Sequence, residues 1–171
     1  MALGRAVTLG ALIVAAIAMQ STLLAHITLL GVIPQLALVV VVCLAYVDGE
    51  VAGASAGFLA GLLLDLLLPQ SAVGLTALIY TLLGYGVGVF RHYFPAESVW
   101  PPVLAVAVAS AGAEIGYAAL AVILGQAWVS FSFTLKLSGL VVAYDALLTP
   151  FVFPLVRNVA ERFHPYRTVR G

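Results

Sequence analysis

The chain has 171 residues, 64% of them hydrophobic and 8% charged, against roughly a quarter charged in an ordinary soluble domain. The formal net charge is zero, which excludes a nucleic-acid surface built of clustered Lys and Arg. A composition this apolar makes the lipid bilayer the solvent, and the length leaves no room for a separate soluble domain.

A spanning helix takes about 20 mostly apolar residues, and the chain divides into six such runs. The first covers 6–25, the second 32–47 and the third 51–68. The remaining three cover 75–90, 103–124 and 137–156, with Pro69, the Pro101-Pro102 pair, Gly125 and a basic tail as boundaries. The pattern predicts an all-α, polytopic membrane protein: a six-helix transmembrane bundle forming a single domain over residues 1–171. The second and fourth runs are short and call for thinned lipid, extra interfacial residues or a partial re-entrant path. Ala16-Ile17-Ala18 in the first run mimics a signal-peptidase site. The apolar run continues past it without a change of character, so a retained helix is expected. Cys43, the single cysteine, lies inside the second run and reads as a small buried hydrophobe.

Basic residues in short loops stay cytoplasmic. In a six-span chain Arg5, Arg91, Arg157, Arg162, Arg167 and Arg170 share one side and Lys136 stands alone opposite. Both termini are therefore expected in the cytoplasm. Tyr46, Tyr93, Phe94 and Trp100 on one side, and Trp128, Phe131 and Phe133 on the other, read as interfacial anchors. The stretch 128–133, where apolar residues alternate with Ser, reads as an interfacial loop, with a short edge strand as the alternative.

In the third run Gly53, Gly57, Gly61 and Asp65 recur every fourth residue and share one helix face. Glycines on such a face let a neighbouring backbone approach closely, the means by which helices associate in lipid. Gly84 and Gly88 repeat the spacing in the fourth run, and Gly112 and Gly116 in the fifth. These faces pack within the bundle or against another protein. Three carboxylates, Asp65, Glu114 and Asp145, fall within apolar runs. An ionised acid at the bilayer centre costs about 2.5–3.5 kcal/mol on insertion scales, so each must face protein or water, and helix-to-helix hydrogen bonding is the simplest use.

Catalysis finds no machinery. His26, His92 and His164 lie in separate connections or the tail and do not converge on a metal. No serine or cysteine has a base beside it, and no glycine-rich phosphate loop is present. An enzyme acting on a lipid-linked phosphate would need an Arg cluster, and Arg91 is the only arginine in a connection between runs. No cofactor, metal or catalytic residue is expected.

The stretch 34–85 carries Pro34 at the start of the second run, Gly53, the run Gly57-Phe58-Leu59-Ala60-Gly61-Leu62-Leu63-Leu64-Asp65, Gly74, and Ala77-Leu78-Ile79-Tyr80-Thr81-Leu82-Leu83-Gly84-Tyr85. Together with Tyr144-Asp145-Ala146-Leu147-Leu148-Thr149-Pro150 it resembles the bacterial rod shape-determining membrane protein family MreD. The chain departs from that pattern at Asp145, where many members carry Asn, and at Ile33 and Gln35, where many have charged or polar residues around the proline. The resemblance implies a non-catalytic inner-membrane subunit of the cell-elongation machinery that directs side-wall peptidoglycan synthesis. It implies binding to MreC, a single-span membrane protein, and through it to the MreB filament and the wall-building glycosyltransferase and transpeptidase. It also implies a fold similar to the substrate-binding membrane subunits of vitamin transporters, which supplies the alternative reading, a small-molecule uptake component.

Overall fold

The computed structural model describes residues 2–24, 34–67, 74–93, 100–123 and 131–162. These form six α-helices: α1 (Ala2–Met19), α2 (Leu36–Asp48), α3 (Glu50–Leu67), α4 (Leu75–Phe90), α5 (Trp100–Ile123) and α6 (Phe131–Glu161). No strand occurs among the described residues. Segments 50–67, 100–120 and 138–161, in α3, α5 and α6, are long and apolar enough to cross a membrane by length and composition.

The centre of the bundle is α2, which touches all five other helices. Leu36 to Tyr46 are buried without a break. A helix apolar on every side has no surface to offer water, and burial all round is where such a sequence is stable. At 13 residues it is about 20 Å long, short of a hydrocarbon core about 30 Å thick. It is a plug inside the bundle, and its backbone ends lie among protein groups that must satisfy them.

The other helices pack in alternating directions around it. Gly53 lies against Gly84, Gly57 against Tyr80 and Gly61 against Ala77, so α3 and α4 are antiparallel, and they form the most extensive contact in the bundle. Ser110 meets Asp145 and Glu114 meets Ser138, which makes α5 and α6 antiparallel too. One end of the bundle therefore gathers the start of α1, the end of α6 and Arg91. The opposite, far end gathers the start of α2, the end of α3 and the start of α4.

A single residue, Gly49 at φ 100°, links α2 to α3. Side-chain-bearing residues rarely adopt that backbone region, so glycine makes the reversal possible. At the same end Arg91 Nη1 donates to the Val47 carbonyl at 2.8 Å and caps the end of α2. Tyr46 and Phe153 meet edge to face there, with centroids 5.9 Å apart.

Three boundaries differ from those expected. Trp100, Pro101 and Pro102 form the first turn of α5 rather than a break before it. The first N–H groups of a helix have no intrahelical partner, so prolines there forfeit nothing. Phe131, Ser132 and Phe133 are the opening of α6, neither loop nor strand, while 128–130 lie outside the described residues. The last helix is consequently 31 residues long, not 20, and runs through Pro150 and Pro154. Just before the first of these, the Thr149 hydroxyl donates to the Asp145 carbonyl at 2.7 Å, a side-chain bond that braces the turn where proline removes a backbone donor.

Candidate functional site

Two arrangements meet at the far end of the bundle: the seam between α3 and α4, and a buried polar cluster around the start of α2. Along the seam two backbones approach so closely that a side chain at the glycines would meet backbone atoms of the facing helix. A Cβ at Gly57 would collide with the Tyr80 carbonyl and stand 2.9 Å from the Thr81 nitrogen. One at Gly61 would lie 2.5 Å from Ala77 Cα, and one at Gly53 would strike Gly84 and, at 2.5 Å, Ala45 Cβ. Gly84 faces back onto Gly53, and Gly88 abuts Gly49 and Glu50. Gly112 and Gly116 differ, because their nearest neighbours are side-chain tips, Leu83 at 3.1 Å and Ile79 at 3.6 Å. The approach of α5 to α4 is ordinary side-chain packing.

At the end of the seam sits Asp65, buried at 2% exposure. Its carboxylate faces the start of α4. Oδ2 accepts from the backbone N–H of Gly74 at 2.8 Å, Thr76 at 3.1 Å and Ala77 at 3.3 Å, and Oδ1 accepts from Thr76 at 3.3 Å. The first amides of a helix have no partner in their own helix and carry the positive end of its dipole. Gly74, at φ 100°, precedes α4 and has no side chain to cap it. Asp65 performs that task from the neighbouring helix. The Thr76 hydroxyl, in the same place, accepts a hydrogen bond from the Tyr117 phenol of α5.

The start of α2 is treated similarly. Its Ala37 N–H donates to Gln20 Oε1 at 3.0 Å, from the π-helical turn Gln20–Leu24 that ends α1. The N–H of Gln35 donates to Asp145 Oδ1 at 2.8 Å, and Ser110 donates to Asp145 Oδ2 at 2.7 Å. The Gln35 side chain then ties three helices together. Its Nε2 donates to Glu114 Oε1 at 2.6 Å, while its Oε1 accepts from the Tyr80 hydroxyl at 3.2 Å. Ser138 donates to the other oxygen of Glu114 at 3.3 Å.

Asp65, Glu114 and Asp145, far apart in sequence, thus lie at the same end of the bundle, and every one of their six carboxylate oxygens accepts a hydrogen bond. The arrangement holds helix ends in place: two recessed N-termini are capped by acids from other helices, and one glutamine joins α2, α4 and α5. Among the described residues no group of three or more His, Cys, Asp or Glu could hold a metal. Ser110, Thr76 and Gln20 were not singled out from sequence, while Tyr80 stood there only within the family motif and Gln35 only as a departure from it. A polar residue in an apolar run, isolated in the case of Gln35 and Ser110 and followed by Ser21 and Thr22 in the case of Gln20, is the signal that points to them.

A family model described as rod shape-determining protein MreD matches residues 2–159, far more than the stretches on which the sequence resemblance rested. No curated protein and no solved structure matches the chain. An all-helical bundle with three membrane-length apolar helices and a match over almost its whole length places this membrane protein, by descent and architecture, in the MreD family of rod shape-determining proteins.

Proposed function

We propose that this chain is a non-catalytic scaffold of the bacterial rod complex, seated in the cytoplasmic membrane with six crossings and both termini in the cytoplasm. In that role it binds an MreC-like single-span protein and, through it, positions the MreB-like filament and the glycosyltransferase and transpeptidase of side-wall peptidoglycan synthesis. The observation that carries the reading is the family match over residues 2–159. The far-end cluster is consistent with it: its acids are hydrogen-bonded to serine hydroxyls, Gln35 and helix amides of the same chain, as expected of a rigid framework. Gly53, Gly57, Gly61, Gly84 and Gly88 set the spacing of α3 and α4, with Asp65 fixing their far end, so a partner helix laid across this pair would meet a surface of defined shape.

The uptake-transporter reading has no support from any matching structure and is set aside. Depletion of the protein in a rod-shaped host tests the proposal. Cells should round up while continuing to grow in mass, and the wild-type gene should restore rods. Cells that stay rod-shaped after depletion, or that fail for want of a nutrient whose supply rescues them, contradict it.

A further inference from the structure

The seam uses the inner face of α4; the outer face of the same helix carries a different feature. Between α4 and α5, toward the end that holds Arg91, lies a groove of about 340 Å³. Leu82, Val87, Leu104 and Val108 line it, and Leu82, Leu104 and Val108 are each more than half exposed, so it faces outward. Arg91 is the one charged residue in its lining.

Gly86 separates this groove from ordinary surface roughness. Its neighbours Gly84 and Gly88 are pressed onto the α3 backbone, but a Cβ at Gly86 would meet nothing within 4 Å. Glycine inside a helix is less favourable than alanine, and here no close approach of another backbone offsets that. What the missing side chain leaves is the groove.

The depth is set by the helix ends. Arg91 follows the last residue of α4, and the exposed Trp100 opens α5 beside Pro101 of the groove wall. A basic residue and an exposed indole at helix ends are placed at the headgroup level of a bilayer. The bond to Val47 uses one N–H of the Arg91 guanidinium, which has five donors and a shape suited to phosphate. An apolar groove that ends at a basic residue is matched by a thin apolar chain joined to an anionic head.

We propose that this groove holds one acyl chain of an anionic phospholipid whose phosphate is paired with Arg91. Native mass spectrometry of the full chain, titrated with phosphatidylglycerol and with phosphatidylcholine of the same acyl length, tests it. One phosphatidylglycerol should bind per chain about tenfold more tightly than phosphatidylcholine, whose quaternary ammonium offsets the phosphate charge beside Arg91. Arg91→Gln should abolish that preference and Arg91→Lys should retain most of it. Gly86→Leu, whose new Cβ meets nothing within 4 Å and whose side chain takes up groove space, should weaken both lipids at least tenfold while leaving Cys43 protected from thiol reagents, and Gly139→Leu, where a Cβ likewise meets nothing, should change nothing. Equal retention of the two lipids, or retention unaffected by Gly86→Leu, overturns the proposal. So does a dimer that Gly86→Leu dissociates, since the groove would then belong to a second copy of the chain.

Discussion

Adding one methyl group at Gly57 puts the seam between α3 and α4 under direct test. In Gly57→Ala the new Cβ would overlap the Tyr80 carbonyl and stand 2.9 Å from the Thr81 nitrogen. Both are backbone atoms inside α4, so no rotamer change relieves the clash and the two helices must move apart. Separation loosens the neighbouring contacts at Gly53 and Gly61, and overpacking of this kind costs about 1–3 kcal/mol. The clash is with backbone atoms, which puts the cost in the upper part of that range, about 2–3 kcal/mol, and the gain of about 1 kcal/mol from replacing a helical glycine by alanine leaves a net loss of about 1–2 kcal/mol. Cys43 provides the assay, because it is fully buried on α2 at the centre of the bundle and reacts with a fluorogenic thiol reagent only when the bundle opens. The midpoint of thermal unfolding in detergent should fall by roughly 2–8 °C for a chain of this size. Gly139→Ala, at a position where a Cβ meets nothing, should leave the midpoint unchanged or raise it. Equal midpoints for Gly57→Ala, Gly139→Ala and the wild type would refute the close-contact argument.

The capping role of Asp65 predicts an order of effects: Asp65→Leu strands three backbone amides and should lower the same midpoint by an amount equivalent to about 3–5 kcal/mol, at about 1–3 kcal/mol for each unsatisfied donor. Asp65→Asn keeps one acceptor oxygen and should lose less than half as much; a leucine variant as stable as the asparagine variant contradicts the cap. Gln35→Leu removes the donor to Glu114 and the acceptor for Tyr80 and should cost about 2–3 kcal/mol. Adding Glu114→Leu should restore part of that stability, because the stranded acid goes with it, whereas strictly additive losses would show that the two residues are not coupled. For topology, a reporter fused after Gly171 should be active in the cytoplasm and one inserted at 126–127 should be active outside; the reverse pattern ends the orientation argument.

Helical class and segment number were legible because an apolar run of membrane length admits few conformations other than a helix in lipid. The fourth-residue spacing of Gly53, Gly57 and Gly61 was legible too, since helical geometry puts such residues on one face. Which atoms that face meets was not, because Tyr80 and Ala77 are chosen by the relative rotation of two helices. Boundaries failed where residues play a different part at a helix start than within it. The Pro101-Pro102 pair read as a break and forms a first turn, and alternating Phe and Ser at 131–133 read as loop and open a helix. The caps were hidden for another reason. That Asp65 serves α4 and Asp145 serves the start of α2 depends on α2 being short and recessed among its neighbours, and an apolar run shows neither its depth nor its surroundings. Gln35 entered only as a departure from the family pattern beside Pro34, yet it bonds to three helices' worth of polar groups through Asp145, Glu114 and Tyr80.

The central claim is that this chain works by holding a single-span partner in the rod complex. Affinity purification of the tagged chain from cells in mild detergent, with mass-spectrometric identification of what accompanies it, measures this most directly. An MreC-like protein should be recovered near equal stoichiometry, reduced several-fold by Gly57→Leu and unchanged by Gly139→Leu. Recovery of the folded chain in quantity with no MreC-like protein, from cells that contain one, would contradict it.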